Sequence, residues 1–162
     1  MGGLLENPAW LAWYKQAKMN ARLMEALADE MERETGLPAA WFDVLANLKL
    51  KGPTRMNELA DELVVSRGGA TRLVARMEEA GLVTREIPSH DRRATFAVIT
   101  DAGIAAFERA KPVHLQLVED AFGRYLEPEE AETILRLAVR ICDAHGWTVM
   151  TDAPPPADPR AH

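Results

Sequence analysis

Between residues 56 and 103 the apolar positions change their period repeatedly, and the changes outline a motif. Leu59, Ala60 and Leu63 fall at helical spacing, with Asn57 the expected N-cap. Val64 and Val65 interrupt that spacing. Ser66 then opens a second helix in which Ala70, Leu73, Val74 and Met77 recur on one face, and Gly81 stands where a C′ residue would stop it. Residues 82–87 and 95–99 read as strands, with Val83, Phe96 and Val98 as packing positions. The polar stretch 88–93 between them is rich in turn formers and reads as a hairpin tip. Helix, turn, helix and hairpin in this order predict a winged helix-turn-helix, a motif that lays its second helix in a DNA major groove. The tip is then expected beside the minor groove.

The flanking pattern is helical throughout. Asn7-Pro8 sets an N-cap before a proline at N1. From there Trp10, Trp13, Tyr14, Ala17, Ala21, Met24, Leu27, Ala28 and Met31 keep a three-four spacing until Thr35-Gly36. At ~1.5 Å per residue this helix is roughly 40 Å long, more than a small core can cover, so part of it is expected to pack on another chain. Pro38 starts a helix through Trp41, Val44, Leu45 and Leu48 that ends at residues 51–53, and residues 54–56 are expected as a short third strand. Thr100 caps a helix through Ile104, Phe107, Ala110 or Lys111, Leu115, Val118 and Phe122, with Gly103 in its first turn and a kink expected at Pro112. A last helix opens at Pro128, carries Ala131, Ile134, Leu135, Ala138 and Cys142 as its stripe, and closes at Gly146. Residues 148–162 are expected to be a disordered tail.

The fold class is therefore mainly α. A winged helix-turn-helix at 37–100 lies between an N-terminal dimerisation helix (1–36) and C-terminal dimerisation helices (101–147). A two-fold homodimer would offer two recognition helices to a pseudo-palindromic duplex.

Charge sharpens this picture. The net charge of −6 looks unsuited to DNA until it is divided. Residues 66–93 hold six arginines against Glu78, Glu79, Glu86 and Asp91, a balance of +2 that leaves −8 on the rest. In the second helix Arg67, Gly68, Gly69, Thr71, Arg72, Ala75 and Arg76 fill the face opposite the apolar stripe, with no carboxylate before Glu78. Basic charge confined to one surface is what phosphate binding requires.

Other classes find little footing. The single cysteine, Cys142, excludes an internal disulfide and points to a reducing compartment. The first residues lack a basic segment followed by an apolar run, and no stretch approaches membrane-spanning length, so a cytoplasmic protein without a membrane partner is expected. There is no nucleophile–base pair, phosphate loop or pair of carboxylates on one predicted face. No Cys-x-Cys or His-x-x-x-His spacing offers a metal site. Neither an enzyme, nor a metal, nor a cofactor is expected.

The run ELADELVVSRGGATRLVARMEEAGLVTRE, followed by HDRRATFAVITDAG, resembles the MarR (multiple antibiotic resistance regulator) family of bacterial transcription factors. The specific part is the wing, Asp91-Arg92-Arg93 and then Thr100-x-x-Gly103. The resemblance implies an obligate homodimer that acts most often as a repressor, with small aromatic or phenolic acids bound between its lobes as inducers. Carried over by position, Ser66 opens the recognition helix, and Arg67, Gly69, Thr71 and Arg72 face base edges. Arg76 matches a backbone contact, Arg93 the wing arginine that enters the minor groove, and Asp91 the carboxylate that orients it; Arg92 belongs to the same basic tip. The two glycines depart from stronger helix formers at up to ~1 kcal/mol each and shift the burden of specificity to Arg67 and Arg72. A peroxide-sensing branch uses a cysteine in the first helix, where this chain has none.

Trp10, Trp13, Tyr14 and Trp41 are candidates to wall an inducer pocket, with ordinary core or dimer packing as the competing reading. His114, near Pro112, is a candidate ligand contact or a packed histidine. The function read from the sequence is a DNA-binding, ligand-released regulator. The alternative is a winged-helix module that binds DNA constitutively, or binds a protein, without an inducer.

Overall fold

Over residues 3–88 and 94–147, which the computed structural model describes, six α-helices and a three-stranded sheet follow one another. Helix α1 (Pro8–Thr35) starts where local chemistry puts it. The Asn7 side chain accepts the Trp10 amide at 3.1 Å and so satisfies a donor that every helix leaves open at its start. Gly36 ends α1 at φ 68°, a left-handed conformation open to glycine at no steric cost. Helix α2 (Ala39–Lys51) is the centre of the molecule, with Phe42, Val44, Leu45 and Leu48 all buried.

Strand β1 (Thr54–Arg55) runs directly into helix α3 (Met56–Glu62). The expected N-cap at Asn57 is thereby displaced. Arg55 is held extended by pairing with Phe96, and the Met56 amide donates to the Thr95 carbonyl. The helix begins as soon as that ladder lets go, which makes Arg55 the cap and puts Asn57 inside the first turn. Lys51 pairs with Glu62 and ties the ends of α2 and α3 together. In the turn that follows, Val64 adopts φ 53°. A β-branched residue in that region carries strain of about 1–2 kcal/mol, stored where the angle between α3 and the next helix is set.

Helix α4 (Arg67–Glu79) is followed by strands β2 (Val83–Glu86) and β3 (Phe96–Ile99). The sheet order is β1-β3-β2, antiparallel throughout. Val83 is buried as expected, but Phe96 and Val98 are only half-buried, and Ala97 is the residue of β3 that enters the core. Cross-strand partners share a face, and Val83 stands opposite Ile99. The period of two then commits Ala97 and Ile99 inward and Phe96 and Val98 outward. Of the expected tip at 88–93, residues 89–93 with Asp91, Arg92 and Arg93 lie outside the described residues, as does the expected tail at 148–162.

Helix α5 (Asp101–Ala121) passes through Pro112 as one continuous helix, and Ala110 rather than Lys111 faces inward. The core joins Met31 of α1, most of α2, Leu59, Val74, Met77, Val83 and Ala97 to Phe107 and Ala110 of α5. Helix α6 (Pro128–His145) opens with a reciprocal cap between Glu127 and Glu130 and closes at Gly146. None of its residues is buried: Leu135 is 65 % exposed and Ile141 52 %. Helix α1 buries Met31 alone and leaves Trp13 64 % and Met24 58 % exposed. Apolar faces of this kind seldom stay uncovered. No helix among the described residues is long and apolar enough to cross a membrane.

Candidate nucleic-acid interface

Helix α4 is built to present one face and bury the other. Ser66 accepts the Gly69 amide at 3.1 Å and caps its start, an interaction worth ~1 kcal/mol. Ala70, Val74 and Met77 are fully buried, and Leu73 packs against the same core. At the far end Gly81, at φ 74°, sends its amide to Glu78 while the Leu82 amide reaches back to Met77. This paired closure satisfies the last carbonyls. The helix is thus fixed at both ends and along one side.

Its other side carries Arg67, Arg72 and Arg76, all exposed, and none of them forms an ion pair with a described residue. The first carboxylate along the helix is already engaged. Glu78 accepts the Arg85 Nε–H at 2.8 Å and the Arg85 amide at 3.1 Å, and the Arg85 Nη2 lies 2.6 Å away in the same ion pair. Those bonds hold the Glu78 carboxyl below its ordinary value. The pair fastens α4 to β2, and the three helix arginines have no ion pair among the described residues. Nothing in the spacing of residues 78 and 85 announced this, because the chain reverses between them.

Helical periodicity divides the exposed face in two. Arg67 and Thr71, four residues apart, look toward the sheet; Gly68, Arg72 and Arg76 form a second line. Arg72 lies back over Gly68, its Nη1 3.5 Å from where a Cβ would stand, in the direction helical side chains lean. Gly69 sits against Ser66 and supplies the capped amide. The Thr71 hydroxyl donates to the Arg67 carbonyl at 2.9 Å. Beside the first line lies a notch of about 430 Å³ between α4 and the root of the wing, bordered by Arg55, Asn57, Arg67, Thr71 and Thr95. Sequence reasoning missed Arg55, Asn57 and Thr95, since only the β1–β3 ladder brings them to α4.

The aromatic candidates do not meet in one place. Trp10 stacks on Tyr14 with ring centroids 5.0 Å apart, and Trp13 precedes Thr35 by 22 residues of α1. That is about 33 Å of helix at ~1.5 Å per residue. Trp41 borders a hollow of about 210 Å³ with Thr35, Leu37, Leu82 and Arg109, so one protomer cannot wall a single cleft with all three tryptophans. His114 stacks on Phe42 at 4.3 Å, beside the Phe42–Phe107 pair. Burial pushes its imidazole below the usual histidine value, against the opposing charge of Asp43, and pushes the Asp43 carboxyl up. Both groups stand in the packing between α2 and α5.

The family model described as MarR family matches residues 35–94, the stretch from the last residue of α1 to just before β3. An uncharacterized HTH-type transcriptional regulator of Bacillus cereus is 30 % identical over 115 residues, 71 % of this chain and 76 % of that protein. Among solved structures, Sco3205, a MarR family transcriptional regulator from Streptomyces coelicolor in complex with DNA, superposes with a TM-score of 0.75. It is 28 % identical, over 83 % of this chain and 85 % of that one. AbsC, a MarR family transcriptional regulator from the same organism, gives a TM-score of 0.76 at 28 % identity, over 85 % of this chain and 94 % of that one.

Proposed function

Because the chain belongs to the MarR family of helix-turn-helix transcriptional regulators, we propose that it is a cytoplasmic homodimeric repressor that places one α4 in each half of a pseudo-palindromic duplex and leaves it when a small aromatic acid binds. The observation that carries the DNA reading is the set of three arginines, without an ion pair among the described residues, on a helix capped at its start, closed at its end and buried along its opposite side. That the similar Sco3205 was solved in complex with DNA supports the DNA reading. Residues 1–36 and 101–147 form the dimer lobe in this reading, through the apolar faces that α1 and α6 leave exposed. Arg93 enters the minor groove and Asp91 orients it, as the family pattern assigns them, with Arg92 beside them in the same basic tip.

Such binding is expected to depend steeply on salt. A protein neutralising 6–10 phosphates loses about 10³–10⁵ in affinity between roughly 50 and 200 mM salt, because each contact releases counterions. Fluorescence anisotropy with a labelled duplex measures the slope, and a flat response over that range rules the reading out.

Release by a ligand is assigned to the hollow at Trp41. It offers an indole face and the Arg109 guanidinium to an aromatic carboxylate, and it touches Ala80 and Leu82, on either side of the glycine that ends α4. At about 210 Å³ it is smaller than sites for drug-sized ligands, ~300–1,000 Å³, and suits a single ring. A ligand there acts only through its preference for one placement of α4. Single-ring aromatic acids are expected to quench tryptophan fluorescence and weaken DNA binding over the same concentrations, and Trp41→Ala to abolish release while DNA affinity stays intact. A phenolic panel that produces neither effect makes the protein a constitutive binder.

A further inference from the structure

We propose that Glu78 and Arg85 form a positioning pair for DNA binding: their clasp sets the angle between α4 and the wing, so that one approach of the protein fills the major and the minor groove together. This rests on the DNA-binding reading above and gives a task to two residues that need not touch the duplex.

The connection from α4 to the wing is short. Gly81 turns the chain, the Leu82 amide returns to the Met77 carbonyl, and Val83 is buried in the core. Past Val83 the strand leaves the core. Arg85 stands opposite Ala97, on the Val83 face of β2 by the period of two, and its side chain is 39 % exposed. The clasp forms there and uses both oxygens of Glu78. Oε1 accepts the Arg85 amide at 3.1 Å, while Oε2 accepts Nε–H at 2.8 Å with Nη2 2.6 Å away. Since β2 is an edge strand, its Arg85 amide is open to a partner from outside the sheet. Glu78 therefore holds the main chain of the strand as well as a long side chain, and the main-chain bond fixes a direction that an ion pair alone would leave free to swing.

Exposure argues for orientation over stability. Both side chains are about a third exposed, where an ion pair contributes little to folding. Three polar contacts between two elements nevertheless restrict how one tilts on the other. Strands β2 and β3 bracket residues 87–95, the stretch that holds the minor-groove residues of the reading above. When α4 is seated, a second contact by a rigidly joined wing costs little further freedom, whereas a loosely joined wing must be ordered on arrival. The clasp is thus placed to make the two contacts one event.

The test uses the full-length protein, a duplex selected by the unaltered protein from a randomised pool, and dimethyl sulfate, which methylates guanine N7 in the major groove and adenine N3 in the minor groove. At saturating concentration the parent is expected to shield both. Glu78→Ala removes all three contacts. It should keep the guanine shielding, lose the adenine shielding and bind about tenfold more weakly. Arg85→Gln retains the amide contact and should fall between Glu78→Ala and the parent, with Arg85→Lys closer to the parent still. Combining Glu78→Ala with Arg85→Gln should add nothing to Glu78→Ala alone, because both break one clasp. Urea midpoints near the parent's separate positioning from unfolding. Glu78→Gln, which keeps an acceptor for the amide, gives the same result at smaller amplitude if Glu78→Ala does not fold. Adenine shielding that survives Glu78→Ala, an equal loss from both grooves, or additive losses in the double variant would each overturn the pair's role. So would tighter binding by Glu78→Ala, which would make Arg85 a direct phosphate contact, or a parent that leaves the adenines open. A parent that binds no duplex at low salt would remove the DNA reading itself, and the clasp's role with it.

Discussion

Leu135→Asp is expected to turn the protein into a monomer and to cost operator affinity by about two to four orders of magnitude, the gain that a second linked half-site ordinarily provides. Leu135 is 65 % exposed on a helix with no buried residue, so the substitution costs an isolated chain almost nothing. In a dimer whose lobe includes α6 it buries an unpaired carboxylate, at several kcal/mol. The contrast gives the test its force. Light scattering should report the monomeric mass, while circular dichroism and melting of the variant remain those of a folded chain. DNA binding should fall in parallel with dimer content and recover at high protein concentration. A variant that stays dimeric and keeps its affinity would move the interface away from α6. Loss of affinity from a protein that remains dimeric would mean that the lobe acts through the placement of α4 rather than through valence.

The second large effect is expected at Gly103, in the first turn of α5. Glycine within a helix normally gives way to alanine with a gain of up to ~1 kcal/mol. Here the sign should reverse. A Cβ at Gly103 would stand 2.1 Å from the Leu82 carbonyl oxygen and 2.9 Å from Ile99, and the closer neighbour is backbone that already accepts the Thr100 amide. Thr100 also donates to the Gly81 carbonyl at 2.7 Å and accepts the Gly103 amide at 3.0 Å. The end of α4, the start of β2 and the start of α5 are therefore joined at one point, and Gly103→Ala forces them apart. We expect a loss of about 3 kcal/mol, read as a lower urea midpoint, together with weaker DNA binding as α4 loses its fixed end. Gly68→Ala is the control. Its Cβ meets nothing closer than the end of Arg72 at 3.5 Å, so that substitution should raise the midpoint. Equal effects at the two positions would show that the junction yields more easily than its geometry implies.

This junction illustrates where the sequence is sufficient. The caps at Asn7, Ser66 and Thr100 and the stops at Gly36, Gly81 and Gly146 lie where the residues place them. Each involves groups within about four residues of one another, so composition over a short window decides it. The same locality made the apolar stripe of α4 readable, and with it the arginine face. The helix-turn-helix was legible for that reason, as was the long first helix with more apolar surface than its own chain covers.

What spacing could not decide depends on strands meeting. A strand's residues alternate with no local preference for which set faces in. The choice of Ala97 over Phe96 and Val98 came from the ladder that sets Val83 opposite Ile99. The same ladder kept Arg55 extended, moved the start of α3 back from Asn57, and carried Arg55 and Thr95 to the side of Arg67. The reversal after Gly81 delivered Arg85 to Glu78 and so left the helix arginines free of that carboxylate. The length of α1 kept Trp10 and Trp13 from Trp41. The sequence by itself determined the helices, their ends and the charged face of α4, because hydrogen bonds and periodicity within a few residues suffice for them. Only the tertiary structure decided which cations share a cavity, because that depends on the register of β1, β3 and β2, a relation between residues as distant in the chain as Arg55 and Phe96.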